Sequence, residues 1–560
     1  MPSEDAVRIV RELARRGYNA DREAVTLLAG APDPTQAIER AVETAPDDAL
    51  VLSADHVATV LDRHHNTAHH SQHPSEDPSN TDRSQSDSDI PASDHPSTSG
   101  GNRPPKPTGN HGQSPVETKG SVTDSTPDSS GTTTATGAEV ATANPSAPST
   151  GTNGQSVRNP SPATVSGDIQ STGTGTYRNF VSVFRDKYER LAAMFQGRVN
   201  YRPAAAVADE SDGSEAALVG MVASVSSTSG GHLRFELEDT SGTYPCLVLG
   251  DRSFTEEART VLCDEVIAVE GRISKRNSDD EGILFVDDLS FPDIPRTNSP
   301  STADRPVRAA LVSDIHVGSQ EFLADAWTRF ADWLHTDDAA DVEYLLIAGD
   351  MVEGIGVYPN QDKELDIIDI YDQYEQFSEH LKDVPGDMEI VMVPGNHDAV
   401  RLAEPQPAFD EELRSIMSAH DATISANPST VTIEGVSILM YHGVSLDEVI
   451  AEIPGASYDD PAEAMTHLLR KRHVAPQYGG KTRIAPEKQD HLVIDEVPDI
   501  FHAGHVHKFG HTRYRGVLTV NSSCWQSQTD FQESVNLNPE VAYAPIVDLQ
   551  TLELQYGHFL

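Results

Sequence analysis

Five apolar runs in the C-terminal half of the chain each end on residues of the kinds that hold metal ions. RAALVSDIHVGS delivers Asp314 and His316, VEYLLIAGD delivers Asp350, and MEIVMVPGNHD delivers Asn396, His397 and Asp398. VSILMYHG delivers His442, and VPDIFHAGHVH delivers His505 and His507. Such runs read as strands, and the helical stretches between them predict a layered α/β domain. Strands of such a sheet bring their carboxyl ends to one rim, where α/β proteins bind ligands. The residue types suit that place. Asp and Asn supply hard oxygen and His borderline nitrogen, a mixture fitted to Mn, Fe, Zn or Ni rather than Ca. One carboxylate can bridge two such cations about 3.5–4 Å apart, and water between them becomes a nucleophile near neutral pH. D-x-H and H-x-H, if extended, send both side chains the same way. Any one of these pieces is ordinary, because a buried histidine usually just bonds backbone. Five in this order, each closing an apolar run, point to a binuclear metal centre.

Upstream, composition divides the chain. Residues 1–65 predict a small helical module: AVRIVRELARRG has apolar residues at helical spacing and stops at Gly17, and Ser53 is placed to cap ADHVATVLDRHH. From 66 to 175 the chain is largely Ser, Thr, Pro, Gly and Asp, with no Phe, Tyr or Trp. Such a stretch buries too little to offset chain entropy, so a disordered polar linker is expected, its histidines at 64–73 solvated. YRNFVSVFRDKYERLAAMFQGRV, within 176–203, predicts an amphipathic basic helix. Its Arg185, Lys187, Arg190 and Arg198 either touch nucleic acid or solvate the helix. Residues 204–298 alternate in short strands between Gly, Ser and Asp turns, which fits an OB-type β-barrel. Such barrels bind single strands through aromatics and cations, a role open to Arg234, Phe235, Tyr244, Arg272, Lys275 and Arg276. A barrel that only docks protein fits equally.

With 41 basic and 88 acidic residues the formal charge is −47. That excess argues against a phosphate-binding surface of the usual basic kind. The acids are spread over every segment, however, as in proteins of salt-loving organisms, where screening blunts self-repulsion. Local basic clusters then carry more weight than the total. The densest is Arg470, Lys471, Arg472, Lys481, Arg483 and Lys488, just before the last motif, and it is expected to hold DNA phosphates or a partner chain. Arg513, Tyr514 and Trp525 are further candidates for contacts near the site. Three cysteines at unrelated spacings predict neither a disulfide framework nor a CxxC site. No signal-peptide pattern and no apolar run near 18 residues occur, so no membrane span and a cytoplasmic location are expected.

Together, DIH, GD, GNHD, HG and GHVH resemble the calcineurin-like metallophosphoesterase superfamily over roughly residues 308–530. The resemblance implies a two-sheet sandwich flanked by helices within 299–560. It implies two divalent metals, Mn first, with Fe, Zn or Ni possible. Asp314, His316, Asp350 and His507 would hold one; Asp350 (bridging), Asn396, His442 and His505 would hold the other. His397 would stabilise or protonate the leaving oxygen, and Asp398 would orient His397. GDMVEG and GNHD depart from the GDxxDRG and GNHE of the superfamily's protein phosphatases. Helical module, tether, helix, barrel and phosphoesterase domain, with the insert DDPAEAMTHLLRKRHVAPQYGGKTRIAPEKQDHLVIDEVPDIFHAGHVH, resemble the small subunits of archaeal family D DNA polymerases from about residue 177 onward. That resemblance implies a 3′→5′ exonuclease proofreading for a separate large catalytic subunit, on single-stranded or primer-terminus DNA. Every ligand position is filled here, unlike in the eukaryotic B-subunits. A non-catalytic assembly subunit and a stand-alone small-molecule phosphodiesterase are the rival readings. His502, claimed by no motif, is expected to pack beside the site, and Gly504 to aim His505 and His507.

Overall fold

The computed structural model describes residues 158–166, 169, 173–277, 281–418 and 421–560, together with parts of 9–57. Around the helix Arg22–Ala29, Val25 and Leu28 pack with Ile9, Leu13, Ile38 and Val57. The histidine-rich edge and most of the polar linker, 66–157, lie outside the described residues. The linker's expected end at 175 does not hold. Thr164–Ser166 (β1) pairs antiparallel with Thr430–Thr432. Arg158 donates to the carbonyls of Val342 (2.8 Å) and Ala339 (3.0 Å) and pairs with Asp387 (3.1 Å). Backbone pairing and one half-hidden arginine need no apolar run, so composition could not reveal them.

Tyr177–Ala193 (α1) leads into a closed barrel. Its strands are β2 (Glu215–Ser227), β3 (Leu233–Asp239), β4 (Gly242–Val248), β5 (Val266–Ser274) and β6 (Ile283–Ser290), joined in the order β2-β3-β4-β6-β5. Alternate residues fill it: Leu233, Phe235 and Leu237 from β3, Tyr244, Cys246 and Val248 from β4. Phe235 and Tyr244 are therefore core residues and offer no ring to a nucleic acid. Arg234 and Arg272 stay outside, paired with Glu236 and Glu215.

The remainder alternates strand and helix: β7 (Arg308–Val312), α2 (Ala324–Leu334), β8 (Val342–Ala348), α3 (Ile370–Leu381), β9 (Glu389–Val393) and β10 (Thr423–Ile424). Then come β11 (Ser429–Ile433), β12 (Val436–Met440), α4 (Leu446–Glu452), α5 (Pro461–Lys471), β13 (Ile500–Ala503), β14 (Phe509–Tyr514) and β15 (Val517–Ser522). The chain ends with α6 (Asp530–Ser534), β16 (Tyr543–Asp548) and β17 (Leu554–His558). Two six-stranded sheets result, β10-β9-β8-β7-β16-β17 and β14-β15-β13-β12-β11-β1. The inner strands β7, β8, β9, β12 and β13 read as nearly unbroken apolar runs because both faces are covered. Leu311, Leu346 and Val393 meet Val431, Ile438 and Val520 between the sheets. On the outer face of the first sheet, Val312, Leu345 and Met392 meet Trp327 and Phe330 of α2 and Phe377 of α3. Phe501 of the second sheet meets Val449 of α4 and Leu468 of α5. Among the described residues no helix is long and apolar enough to cross a membrane.

The basic cluster at the end of α5 faces the barrel, not solvent. Lys471 donates to the Thr260 carbonyl (2.7 Å) and pairs with Glu265; Arg470 pairs with Glu257 and lies over the Phe291 ring. Arg472 donates to the carbonyls of Ile494 (2.8 Å) and Asp495. Lys471 and Arg472 are 2% and 4% exposed. So placed, these three do not hold DNA as expected: Arg470 and Lys471 tie α5 to the barrel, and Arg472 ties its end to the Ile494–Asp495 backbone. Helix α1 is fastened likewise, Lys187 donating to the Pro476 carbonyl and Arg190 pairing with Asp495. Lys481 and Arg483 remain exposed.

Candidate metal centre

Asp314, Asp350, His442 and His505 each lie two residues past the end of a strand, β7, β8, β12 and β13 respectively. Within the sheets β7 runs parallel to β8, β8 to β9, and β12 to β13, so each sheet delivers its motifs from one end. Backbone bonds lock the emerging turns. The Asp314 N–H donates to the Gly349 carbonyl (3.0 Å), and the Gly504 N–H donates to that of His442 (2.8 Å).

Extended backbone does not aim D-x-H and H-x-H, contrary to expectation. Asp314, His316, Asp350, His505 and His507 adopt left-handed backbone, with φ of +51°, +57°, +51°, +72° and +53°. This conformation costs L-residues about 1 kcal/mol or more each and gathers at functional sites. Tight turns, not pleated strands, fold these side chains inward. Gly504 does serve the pair, but through space: a Cβ there would stand 2.2 Å from Asp314 Oδ2. Gly395 answers the same need, its Cβ falling 2.2 Å from Asp350 Oδ1.

Three donor groups result, Asp314 with His316 and His507, Asp350 with His442 and His505, and His316 with Glu353 and His397, each with its atoms within 4.8 Å of one another. His316 Nε2 is 3.1 Å from His507 Nε2, which is 3.5 Å from Asp314 Oδ1. His442 Nε2 is 3.1 Å from Asp350 Oδ2 and 3.0 Å from Asn396 Oδ1. Asp350 Oδ2 also lies 3.9 Å from His316 Nε2, which places this carboxylate between the first two groups. Burial would raise both acids, yet the surrounding imidazoles hold Asp314 below and Asp350 well below the usual range. His442, which burial alone would lower, is raised to about 10 by Asp350 and Asp314. The centre thus calls for positive charge. His442 Nδ1 donates to the Ala348 carbonyl (2.9 Å), which turns Nε2 toward the carboxylates, the arrangement by which proteins present imidazole to a metal. These clustered His and Asp side chains are of the kind that could hold a metal ion.

His397 lines the cavity above this centre, and its Nδ1 donates to the Glu353 carbonyl (2.8 Å). Asp398 does not orient it. The Asp398 carboxylate accepts from Gly395 N–H (2.8 Å), Met351 N–H (3.2 Å) and the Tyr374 hydroxyl (2.9 Å), and so braces the loop from behind. Adjacent residues on a tight loop point opposite ways. His502 is buried and neutral, lowered by burial to about 3. It bonds Ser522 (3.0 Å), which bonds Ser313 (2.8 Å) beside Asp314. Trp525 belongs to the core against Trp327, Arg513 donates to the Leu552 carbonyl, and Tyr514 bonds Asp293, so these three leave the list of site contacts.

Glu353 and Asp447 were not foreseen. Glu353 accepts from Tyr358 (2.9 Å), Gln361 (2.9 Å) and Gln526 (2.7 Å), and its Oε2 faces His316 Nδ1 at 2.9 Å. Burial would raise it, but His316 leads the groups that hold it down to about 2. A charged residue three places past Asp350, amid Met, Val and Gly, was the available signal, since such a charge is buried only when paired. Asp447 Oδ2 stands 3.7 Å from His505 Nε2 and accepts from Lys481 (3.2 Å), while Oδ1 accepts from the Tyr458 hydroxyl (2.8 Å). The centre opens into a cavity of about 720 Å³ that Lys481 and Lys508 also line.

A family model for the alpha/epsilon DNA polymerase B-subunits matches residues 309–511, the span that holds the donors from Asp314 to His507. The DNA polymerase II small subunit of Halobacterium salinarum is 58% identical over 563 residues, covering 100% of both chains. That of Archaeoglobus fulgidus is 44% identical over 66% of this chain and 75% of its own. That of Methanothermobacter thermautotrophicus is 37% identical over 69% and 80%. On this similarity the chain belongs to the family of DNA polymerase II small subunits and is a subunit of a DNA-directed DNA polymerase.

Proposed function

We propose that this subunit is a metal-dependent phosphodiesterase acting on DNA, a 3′→5′ exonuclease that works beside a separate large polymerase subunit. In this reading the barrel is an OB-fold and the two-sheet unit a calcineurin-like metallophosphoesterase domain. One observation carries it: Asp350 stands between the Asp314–His316–His507 group and its own partners His442 and His505, in a cavity of nucleotide size. Asp314, His316, Asp350 and His507 would hold one cation, and Asp350, Asn396, His442 and His505 the other. The mixed oxygen and nitrogen donors favour Mn, with Fe, Zn or Ni as alternatives. When bound, such a pair supplies Lewis acidity, neutralising phosphate charge and making water acidic near neutral pH.

The chain's own part is positional. Left-handed turns hold the donors in place before substrate arrives, so nothing need reorganise as charge develops. His397, with Nδ1 tied to the Glu353 carbonyl, keeps Nε2 to deliver a proton to the departing 3′ oxygen. Lys481, which lines the cavity, and the exposed Arg483 supply phosphate contacts. The test is digestion of 3′-mismatched, end-labelled DNA by the purified chain, with and without Mn. The parent should release mononucleotides only with Mn, and Asp350→Ala and His442→Ala should release none. Variants as fast as the parent would mean the metal site is misplaced. A parent that releases nothing, even with its large subunit, would leave only an assembly role.

A further inference from the structure

A row of rings leads away from the metal centre. His316 meets His397 edge-on at 4.7 Å between ring centroids, and Tyr358 lies 6.2 Å beyond His397. Phe531 stacks on Tyr358 at 4.7 Å with the planes 21° apart. All four line the one cavity. The outer pair is built, not incidental. The Tyr358 hydroxyl donates to Glu353 Oε1 (2.9 Å), which fixes the ring. Phe531 rides on α6, whose Thr529 accepts from the Gln532 N–H (3.2 Å), while the Gln532 side chain reaches Gln526 (3.1 Å) and His507 Nδ1 (3.0 Å). The segment carrying Phe531 is thereby tied to a metal-centre histidine. Yet Phe531 is 39% exposed, and it borders a second cavity, of about 380 Å³, as well. A large ring held beside a catalytic cavity and left half open to water forgoes burial that a core position would give.

We infer that the Tyr358–Phe531 pair is a stacking platform for the unpaired terminal bases of a single-stranded 3′ end, held there while the backbone reaches the metal centre. The inference rests on the nuclease reading and adds the side chains that would hold the terminal bases. Rings stack on any base, so the platform is indifferent to sequence, as removal of any misplaced nucleotide requires. A paired terminal base must first leave its neighbours, at a cost that is least for a mismatch. Frayed ends are therefore preferred without any contact that reads the mismatch itself.

The test uses the full chain with Mn and two oligonucleotides, one ordinary and one whose 3′-terminal nucleotides lack bases. For the parent, loss of the bases should raise KM on the order of 10-fold, the scale of one base–aromatic stack. Phe531→Ala should show that same rise on the ordinary strand and no further rise on the baseless one, with KM moving more than kcat. Phe531→Trp should restore the preference for bases. The platform is overturned if Phe531→Ala keeps the parent's preference, or if it loses equally on both strands. A parent that cleaves neither strand would overturn the nuclease reading instead. Stacking is then read from the quenched fluorescence of 2-aminopurine at the 3′ terminus: lost quenching in Phe531→Ala supports the platform, and quenching equal to the parent's overturns it.

Discussion

Replacing Glu353 by glutamine alters one atom at the hub of the candidate metal centre. Oε1 receives the Tyr358 hydroxyl and the Gln361 amide, each at 2.9 Å, while Oε2 receives the Gln526 amide at 2.7 Å and faces His316 Nδ1 at 2.9 Å. Glutamine offers one oxygen where glutamate has two, so one side must meet an NH2 group. With the oxygen toward His316, the Tyr358 hydroxyl can turn from donor to acceptor and only Gln361 is left opposed. The reverse orientation strands both His316 and Gln526. The variant should therefore keep His316 oriented and lose mainly the negative charge behind the imidazole. Supports of this kind are worth 10–100-fold in metal affinity, or about 1.4–2.8 kcal/mol. Glu353→Gln should fall near the lower figure. Glu353→Ala, which removes every acceptor at once, should fall near the upper. Calorimetric titration of Mn into each protein measures this, with thermal unfolding run alongside to confirm the fold. Parent-like Mn binding by both variants would refute the role assigned to Glu353, and so would a Gln variant weaker than the Ala variant.

At the barrel junction, Lys471→Ala strands the buried Glu265 carboxylate, and breaking a buried pair from one side costs about 3–5 kcal/mol. Joint replacement by Met and Leu should recover most of that. Burial already outweighs the pairing, holding Glu265 above and Lys471 below their ordinary values. Denaturant unfolding compares the two variants, and a double variant no more stable than the single would contradict the argument. Near the linker's end, the Arg305 guanidinium at 2.7 Å holds Glu434 down to about 2 from an ordinary 4.5. A depressed acid stabilises the fold above its unfolded pKa and loses that effect as pH falls through the folded one. The parent's stability advantage over Glu434→Gln should be full above pH 4.5 and vanish toward pH 2. Unfolding measured across that window, with an advantage that ignores pH, would sink the assignment.

The donors were legible because each strand end is marked twice, by the apolar run that makes the strand and by the polar residue that closes it. Asp314, Asp350, His442 and His505 stand two residues past their strands for that reason. The turns were not legible. Asp314 and His507 are not glycines, so nothing in the local pattern records their left-handed backbone. The same blindness made Asp398 look like a partner of His397, when adjacency on a tight loop sends neighbours apart. Glu353 was hidden by its ordinariness: one acid among 88 shows its role only once His316 is seen behind it.

The basic cluster misled for a reason that bears on function. In so acidic a chain a cluster of cations looks reserved for an external anion. The same excess, however, makes internal acid partners abundant. Arg158 finds Asp387, Arg190 finds Asp495, Arg470 finds Glu257 and Lys471 finds Glu265. Cations on long apolar stems are well suited to such junctions. A surface so depleted does not draw a polyanion by its field, since the net charge repels it. On the proposed nuclease reading, whatever holds a DNA end must then act at short range. The candidates on hand are the cations the donor groups fit, Lys481 and Lys508 beside them, and the rings of Tyr358 and Phe531, whose attraction for a base is not weakened by the charge of the chain.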